Sequence, residues 1–332
     1  MKRQRKNIHE KILLLGLLAT GILLFTGCGQ GIANTPENQS MKENQFEQED
    51  QSRPEEQPLQ QEQSLQAEQE QQAIPGNGYI FEEVQSEEEN PLAGKKLSIM
   101  GDSLSTFDGW IPPEYVVFYP RDGELSSVEE TWWMGLLSDT GMELCSNASS
   151  SGSTCVGDST AIDNPKYGCS GYRIQGLTGD HGEYPDIILV YMGTNDLLIT
   201  APLGDNDGTR SVEEGMITDF SDAYCLILDK LSSTYPSAQI FCCGLAEIGD
   251  WGEDQPYITC VNGLGLTTVD YNQCIERIAE SKGCYYIDLY NCGIVPENMH
   301  LYKSDGAHFN PEGMKLIKEC IEAGLYDYFP AS

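Results

Sequence analysis

The fold is decided by the stretch Ile99-Met100-Gly101-Asp102-Ser103-Leu104-Ser105, in which an apolar run stops at a glycine and a serine follows in the turn. A lysine pair and a glycine bound the run at 97–100, which predicts a short buried strand. Ser103 then lies at the carboxyl end of that strand, the edge at which open α/β sheets bind ligands. A serine here can also be a plain helix cap, so the stretch alone leaves both interpretations open.

Strand-like and helix-like segments alternate along the rest of the chain. Apolar runs predict strands at 142–146, 187–192, 239–244 and 284–289. Helical spacing with start and stop signals predicts helices at 129–139, 211–233, 270–281 and 311–323. Long irregular loops are predicted at 107–128 and 250–268. This alternation is typical of a parallel α/β sheet with right-handed crossovers.

The N-terminus has the form of a secretory signal. Basic residues within 1–11 precede an apolar run at 12–26, which is shorter than the roughly twenty residues of a membrane-spanning helix. The run leads into Leu24-Phe25-Thr26-Gly27-Cys28, which resembles the lipobox of bacterial lipoproteins, with Phe25 in place of the usual aliphatic residue. The resemblance implies a signal peptide at 1–28 and a lipid on Cys28. It places the protein on the outer face of the bacterial cytoplasmic membrane or on the cell surface.

An uncleaved signal anchor is the alternative for this N-terminus, and it too would export everything after Cys28. Residues 29–90 are rich in Gln and Glu and nearly free of aromatic residues, which predicts a disordered linker. A coiled coil at 57–72 is the competing interpretation, but only Leu59 and Leu65 could form its seam. Residues 91–332 are long enough for one domain with a sizeable core.

The charge of the chain excludes some partners. Acidic residues outnumber basic ones 52 to 19, for a net charge of −33. Such a surface repels nucleic acid and other anionic polymers, so no nucleic-acid partner is expected and a neutral or cationic substrate is favoured.

The 12 cysteines show no Cys-x-x-Cys or Cys/His grouping with the spacing of zinc ligands, so no metal is assigned. If Cys28 carries lipid, an odd number remains, and not all of the others can pair within one chain. Export makes disulfides feasible, and Cys145, Cys155 and Cys169 are close enough in sequence to be candidates.

Three further stretches each follow a predicted strand or precede the last helix. They are Asn147-Ala148-Ser149-Ser150-Ser151-Gly152-Ser153-Thr154, Gly193-Thr194-Asn195-Asp196 and Ser304-Asp305-Gly306-Ala307-His308. Together with residues 101–105 they resemble, in order, the four signature blocks of the SGNH hydrolases, also called GDSL esterases and lipases. The resemblance covers the domain at 91–332 and implies a three-layer α/β/α, flavodoxin-like fold with a central parallel sheet.

The resemblance also implies a role for each matching residue. Ser103 is the expected nucleophile, His308 the base that takes its proton, and Asp305 the acid that orients the imidazole. The expected oxyanion hole combines the backbone N–H groups of Ser103 and Gly152 with the side-chain amide of Asn195. Each position also has a structural alternative as a loop histidine, a loop glycine, a turn residue or a helix cap.

Residues that contact substrate are less clearly marked. Trp110 and Trp251 lie in the two irregular segments and could stack on sugar rings or line an acyl pocket, although such residues more often only fix long loops. Arg173 is a candidate ligand for a substrate carboxylate or phosphate, with a structural ion pair as the alternative. Asp102 and Asp196 are predicted to hold their loops through backbone hydrogen bonds.

The sequence therefore predicts an exported, lipid-anchored serine esterase that works through an acyl-enzyme without metal or other cofactor. Export on a tether favours removal of short acyl groups, acetyl above all, from carbohydrate. The alternatives are a lipase or lysophospholipase acting on lipid esters, and a noncatalytic surface lipoprotein that binds a ligand with the same fold.

Overall fold

A five-stranded sheet forms the centre of the structure, a computed structural model that describes residues 90–121, 124–250 and 257–330. The strands of the described residues, in chain order, are β1 (Lys96–Gly101), β2 (Glu143–Asn147), β3 (Gly157–Asp158), β4 (Ile187–Tyr191), β5 (Met216–Ile217), β6 (Gln239–Cys243) and β7 (Tyr285–Ile287). The central sheet has the order β2-β1-β4-β6-β7 with every neighbouring pair parallel, whereas β3 and β5 form a separate antiparallel pair. This is the flavodoxin-like order, in which the direction of winding reverses beside β1.

Helices cover both faces of the sheet. They are α1 (Trp132–Thr140), α2 (Gly171–Gln175), α3 (Thr194–Leu198), α4 (Phe220–Thr234), α5 (Thr268–Ser281) and α6 (Pro311–Tyr328), with short 3₁₀ turns at Ser103–Ser105, Val128–Glu130 and Met299–Leu301. Helix α1 packs against α6, and α4 packs against α2 and α5. Right-handed crossovers place the helices before and after the reversal on opposite faces. The predicted three-layer α/β/α fold is confirmed.

The core runs through the middle of the sheet. Every residue of β4 is buried, with an exposed fraction of 1% or less. A parallel strand that is covered on both faces has no solvent side, which explains its continuous apolar sequence. The strand ends are therefore held rigidly, and the loops that follow them start from fixed positions.

Helix α4 begins later than predicted. The helix expected at 211–233 starts at Phe220, because Met216–Ile217 pairs with Gly157–Asp158 instead. Gly215, before this strand, has φ +148°, a conformation that side-chain-bearing residues rarely adopt. The backbone N–H of Phe220, which has no acceptor within the helix, donates to the carbonyl of Pro202 in a loop distant in sequence.

The remaining boundaries differ by smaller amounts. The helix predicted at 129–139 is split at Thr131, whose backbone is extended and whose hydroxyl accepts from the N–H of Met134 as the N-cap of α1. Strand β7 is shorter than predicted, α6 continues to Tyr328, and the short helices α2 and α3 were not predicted. The loop predicted at 107–128 has no strand or α-helix among its described residues.

Some predictions fall outside the described residues. These are the signal peptide at 1–28 with Cys28, and the linker at 29–90 except its last residue. Within the part of the chain that is described, no helix has the length and apolar character to cross a membrane. The cysteines from Cys145 to Cys320 are free thiols, including the disulfide candidates Cys145, Cys155 and Cys169.

Candidate active site

The serine turn follows β1 directly. Ser103 begins a 3₁₀ turn whose N-cap is Asp102, and Asp102 Oδ1 accepts from the N–H of Leu104 at 3.0 Å. The stretches that begin at Asn147 and Gly193 follow β2 and β4, the two neighbours of β1 in the sheet. All three therefore lie at the carboxyl edge of the sheet, beside the point where the winding reverses.

The last of the four stretches reaches the serine. Nε2 of His308 lies 2.9 Å from Ser103 Oγ, and Nδ1 of His308 lies 2.8 Å from Asp305 Oδ2. The other carboxylate oxygen of Asp305 accepts from the backbone N–H groups of Ala307 and His308. The side chains that the sequence places in the roles of nucleophile, base and acid thus form one continuous line of hydrogen bonds.

The protonation of this line follows from its acid. Burial works to raise the pKa of the Asp305 carboxyl, but hydrogen bonds and the nearby charge of His308 outweigh it and lower the pKa to about 2. An ionised carboxylate can only accept hydrogen bonds, so Nδ1 of His308 carries a proton. In the neutral imidazole the single ring proton is then on Nδ1, so Nε2 can accept from the Ser103 hydroxyl, the arrangement that a general base needs.

Backbone and amide groups tie the first three stretches together. The carbonyl of Gly101 accepts from the N–H of Ser150 at 3.2 Å and from the hydroxyl of Ser153 at 3.4 Å. The side-chain amide of Asn195 donates to the carbonyl of Ser153 at 2.9 Å. The Gly152 backbone is therefore held between the serine turn and the first turn of α3.

Donors remain for a ligand at this point. Gly152 has φ +72° and is exposed, and no atom lies within 4 Å of the place where a Cβ would stand. Among the described residues, the backbone N–H groups of Ser103 and Gly152 donate to no protein acceptor. The Asn195 amide has a second N–H besides the one bound to Ser153. Such a set of donors can stabilise an oxyanion.

Two buried carboxylates hold the loops, as predicted for both. The two oxygens of Asp196 accept from the backbone N–H groups of Cys155 and Val156, at 2.8 and 3.1 Å. Asp102 binds the N–H of Leu104 within its own turn. Burial raises the pKa of Asp102 to about 6 and that of Asp196 to about 7.

The anion-binding hypothesis for Arg173 is wrong. Its side chain is 0% exposed and donates to the carbonyl of Gly101 at 2.8 Å and to that of Pro165. Its guanidinium also lies over the ring of Tyr115. The partners of Arg173 are thus backbone carbonyls, not the acidic side chain that the alternative expected. Through the Gly101 carbonyl, Arg173 supports the turn that carries Ser103.

The aromatic candidates have different outcomes. Trp110 is 43% exposed and packs its ring against Trp133 in α1, so its contact with substrate stays a prediction. Trp251 lies outside the described residues. Phe118, which no sequence pattern marks, stacks on His308 with 3.5 Å between ring centroids. Its position in an irregular loop gives no signal from which this contact could be predicted.

Groups of three or more His, Cys, Asp or Glu side chains that could hold a metal ion do not occur within 90–121, 124–250 and 257–330.

Comparisons with known proteins find one family and several similar folds. The model of the GDSL-like lipase/acylhydrolase family matches residues 95–262. A protein of Bacteroides uniformis ATCC 8492, whose crystal structure is assigned to a GDSL-like lipase, is 26% identical with a TM-score of 0.51, over 71% of this chain and 95% of its own. A Bacteroides ovatus ATCC 8483 protein with the same assignment is 24% identical with a TM-score of 0.51, over 71% and 99%.

A Lactobacillus plantarum protein of known structure is 23% identical to the chain with a TM-score of 0.53, over 71% of this chain and 98% of its own. The last two likenesses, at below 25% identity, concern the fold alone. No curated protein matches the chain.

The lowered pKa of Asp305 predicts how stability depends on pH. A carboxyl group with a lower pKa in the folded than in the unfolded state stabilises the fold above its unfolded pKa of about 4 and loses this effect as pH falls towards 2. We expect the wild type to have a higher free energy of unfolding than Asp305→Asn at about pH 6. The difference should shrink as pH falls from about 5 to 2.5. Urea denaturation across this range measures it.

Asp163→Asn, on the exposed surface, is the matched control, and its difference from the wild type should not follow the same course. A difference between wild type and Asp305→Asn that is constant with pH would contradict the ionised pairing of Asp305 with His308.

Proposed function

Since the chain belongs to the GDSL-like lipase/acylhydrolase family and is an ester-bond hydrolase, we propose that Ser103 is its nucleophile, His308 its base and Asp305 its acid. The observation that carries this proposal is the unbroken line of hydrogen bonds from Ser103 Oγ through His308 to Asp305, at 2.9 and 2.8 Å. In the family resemblance, the same three positions match the signature blocks.

The reaction follows from this geometry. Ser103 Oγ attacks the ester carbonyl carbon while its proton passes to Nε2 of His308, and the carbonyl oxygen becomes an oxyanion. The imidazolium, stabilised by Asp305, gives its proton to the departing alcohol and leaves an acyl-enzyme. Water then loses a proton to the same nitrogen, attacks the acyl carbon and releases the acid, and the proton returns to Ser103.

We propose that the oxyanion is bound by the backbone N–H groups of Ser103 and Gly152 and by the amide of Asn195. Within the described part of the chain, the two backbone donors have no other acceptor, and the Asn195 amide is held against Ser153. Both observations support this assignment. Preorganised donors of this kind stabilise the charge that develops in the transition state.

Loss of one oxyanion donor gives a direct test. Asn195→Ala should lower the rate of acylation at least about tenfold, since removal of a single donor typically costs a hundredfold or more. Stopped-flow measurement of the acylation burst reads this rate. Asn291→Ala, in the exposed turn after β7, is the control and should acylate at the wild-type rate. Normal acylation by a folded Asn195→Ala protein would remove Asn195 from the oxyanion site.

For the substrate, we propose short acyl esters of carbohydrate, with acetyl as the acyl group. The acidic surface disfavours anionic polymers and anionic membranes. Arg173, the sequence candidate for binding a substrate carboxylate or phosphate, is buried beside the serine turn and is not available to bind the phosphate of a lipid. The exposed ring of Trp110, in the loop that also carries Phe118, has the chemistry to stack on a sugar.

A series of esters tests the reaction and the acyl group together. We expect kcat/KM for acetyl esters, including acetylated oligosaccharides, to exceed that for octanoyl or longer esters at least about tenfold, because one methylene alone can change binding about tenfold. Faster hydrolysis of long-chain esters would overturn the carbohydrate proposal in favour of the lipase alternative.

Labelling of the serine separates an enzyme from a binding protein. A fluorophosphonate probe should label the wild type and Ser233→Ala, an exposed serine in α4, but not Ser103→Ala, which should also have no esterase activity. A folded wild-type protein without label would instead favour the noncatalytic binding lipoprotein.

We also propose that the protein is exported and anchored by a lipid on Cys28. The basic and apolar N-terminal segments and the resemblance of residues 24–28 to a lipobox support this. Cys28→Ala should remove incorporation of labelled fatty acid in a bacterial host and move the protein out of the lipid-modified fraction. Incorporation that persists in Cys28→Ala would contradict the assignment.

A further inference from the structure

Phe118 lies flat against the imidazole of His308. The two ring centroids are 3.5 Å apart and the planes differ by 9°. The guanidinium carbon of Arg121 lies over the Phe118 ring, 4.5 Å from its centroid. Rings this close leave no room between them, so the guanidinium must occupy the opposite face. The order is therefore imidazole, phenyl ring, guanidinium.

The backbone around Phe118 is fixed to the catalytic turn. The N–H of Phe118 donates to Thr106 Oγ1 at 2.9 Å, and the Thr106 hydroxyl donates to the carbonyl of Ser103 at 3.2 Å. The hydroxyl of Tyr119 donates to the carbonyl of Phe309, the residue after His308, at 2.9 Å. The loop that carries the ring is thus attached both to the nucleophile turn and to the chain next to the base.

Phe118 packs against the border of the hydrophobic core and is not buried within it. Its neighbour Tyr119 is fully buried, whereas Phe118 is only half-buried and Arg121 is exposed. Besides the edge of Tyr119, at 4.8 Å between centroids, the described rings and cations against Phe118 are the imidazole and the guanidinium. One face of the Phe118 ring therefore packs against the imidazole of His308.

We propose that Phe118 is a positioning residue for His308, and that Arg121 holds the Phe118 ring in place. This rests on the proposed function, in which His308 is the base. The hydrogen bonds at Nδ1 and Nε2 act at the edge of the imidazole, and hydrogen bonds tolerate tilting over tens of degrees. A rigid aromatic face limits tilting directly. It also keeps water from one face of the imidazole, which strengthens the hydrogen bond to Asp305.

The main test is Phe118→Leu, which keeps an apolar side chain but removes the flat face. We expect kcat to fall about tenfold with KM within about twofold, since small displacements of a catalytic group can cost up to a hundredfold in rate. The rate constant for labelling by a fluorophosphonate should fall by the same factor, because it reports activation of Ser103 without any choice of ester. Phe118→Tyr restores an aromatic face and should restore both rates to within about twofold of wild type.

A matched control exists at the far end of α6. Phe329 also carries a cation over its ring, Lys95 Nζ at 5.2 Å from the centroid, but it follows the last turn of that helix, whereas His308 precedes the first. Phe329→Leu should leave kcat and the labelling rate unchanged. Arg121→Gln, at an exposed position, should fold normally and lower the labelling rate about two- to threefold by loosening the Phe118 ring.

Several results would overturn the proposal. Wild-type rates in Phe118→Leu would do so, as would a raised KM with unchanged kcat, which would mean that the ring binds substrate instead of positioning the base. Equal losses in Phe118→Leu and Phe118→Tyr would show that only packing matters. If Phe118→Leu does not fold by circular dichroism, Arg121→Gln decides, and a wild-type labelling rate there counts against the proposal. Absence of wild-type labelling would instead contradict the proposed function itself.

Discussion

The proposed chemistry depends on the hydrogen bond between Ser103 Oγ and His308 Nε2, which joins residues 205 positions apart across 2.9 Å. The position of each partner is determined by a nearby strand or helix, since Ser103 follows the end of β1 and His308 precedes the start of α6. Helix α1, the next α-helix after the serine turn, packs against α6, so the two chain segments share one layer of the fold. The precision of a contact between such distant residues is thus a property of the whole sheet and helix assembly, not of either loop.

Three buried ionisable side chains, Asp102, Arg173 and Asp196, lie near the nucleophile and hold its turn and the adjacent loop in place. Burial raises the pKa of Asp102 to about 6 and lowers the pKa of Arg173. Ionised groups in such places are unfavourable unless neighbours compensate them. The compensation here is local: Arg173 binds the Gly101 carbonyl and Asp196 binds the loop after β2. The destabilising charges are the same groups that fix the turn carrying Ser103 and the loop after β2.

The sequence predicts the parts that depend on short-range patterns. A buried strand such as β4 shows its burial in its own residues, and the stretches after the strand ends can be recognised as local motifs. Sequence patterns do not predict the position of a side chain when contacts with residues distant in the chain determine it. Arg173 has the chemistry of an anion ligand, but its burial against Gly101 is decided by contacts distant in the chain. Phe118 stacks on a residue near the other end of the domain, and no periodicity in its loop marks that contact.

One loop connects most of the site. Residues 107–121 reach the turn of Ser103 through Thr106 and the stretch after β2 through Val116, whose N–H donates to Ser150 Oγ and whose carbonyl accepts from Ser151. The next described residue, Glu124, accepts from the hydroxyl of Ser304 at 3.0 Å, and Phe118 stacks on His308, so this segment also contacts the last stretch. The same segment therefore supports the base and borders the donors proposed for the oxyanion. Because the contacts with the base and with the oxyanion donors come from one loop, substitutions in residues 107–121 can alter substrate range and turnover together without any change in the four motif stretches.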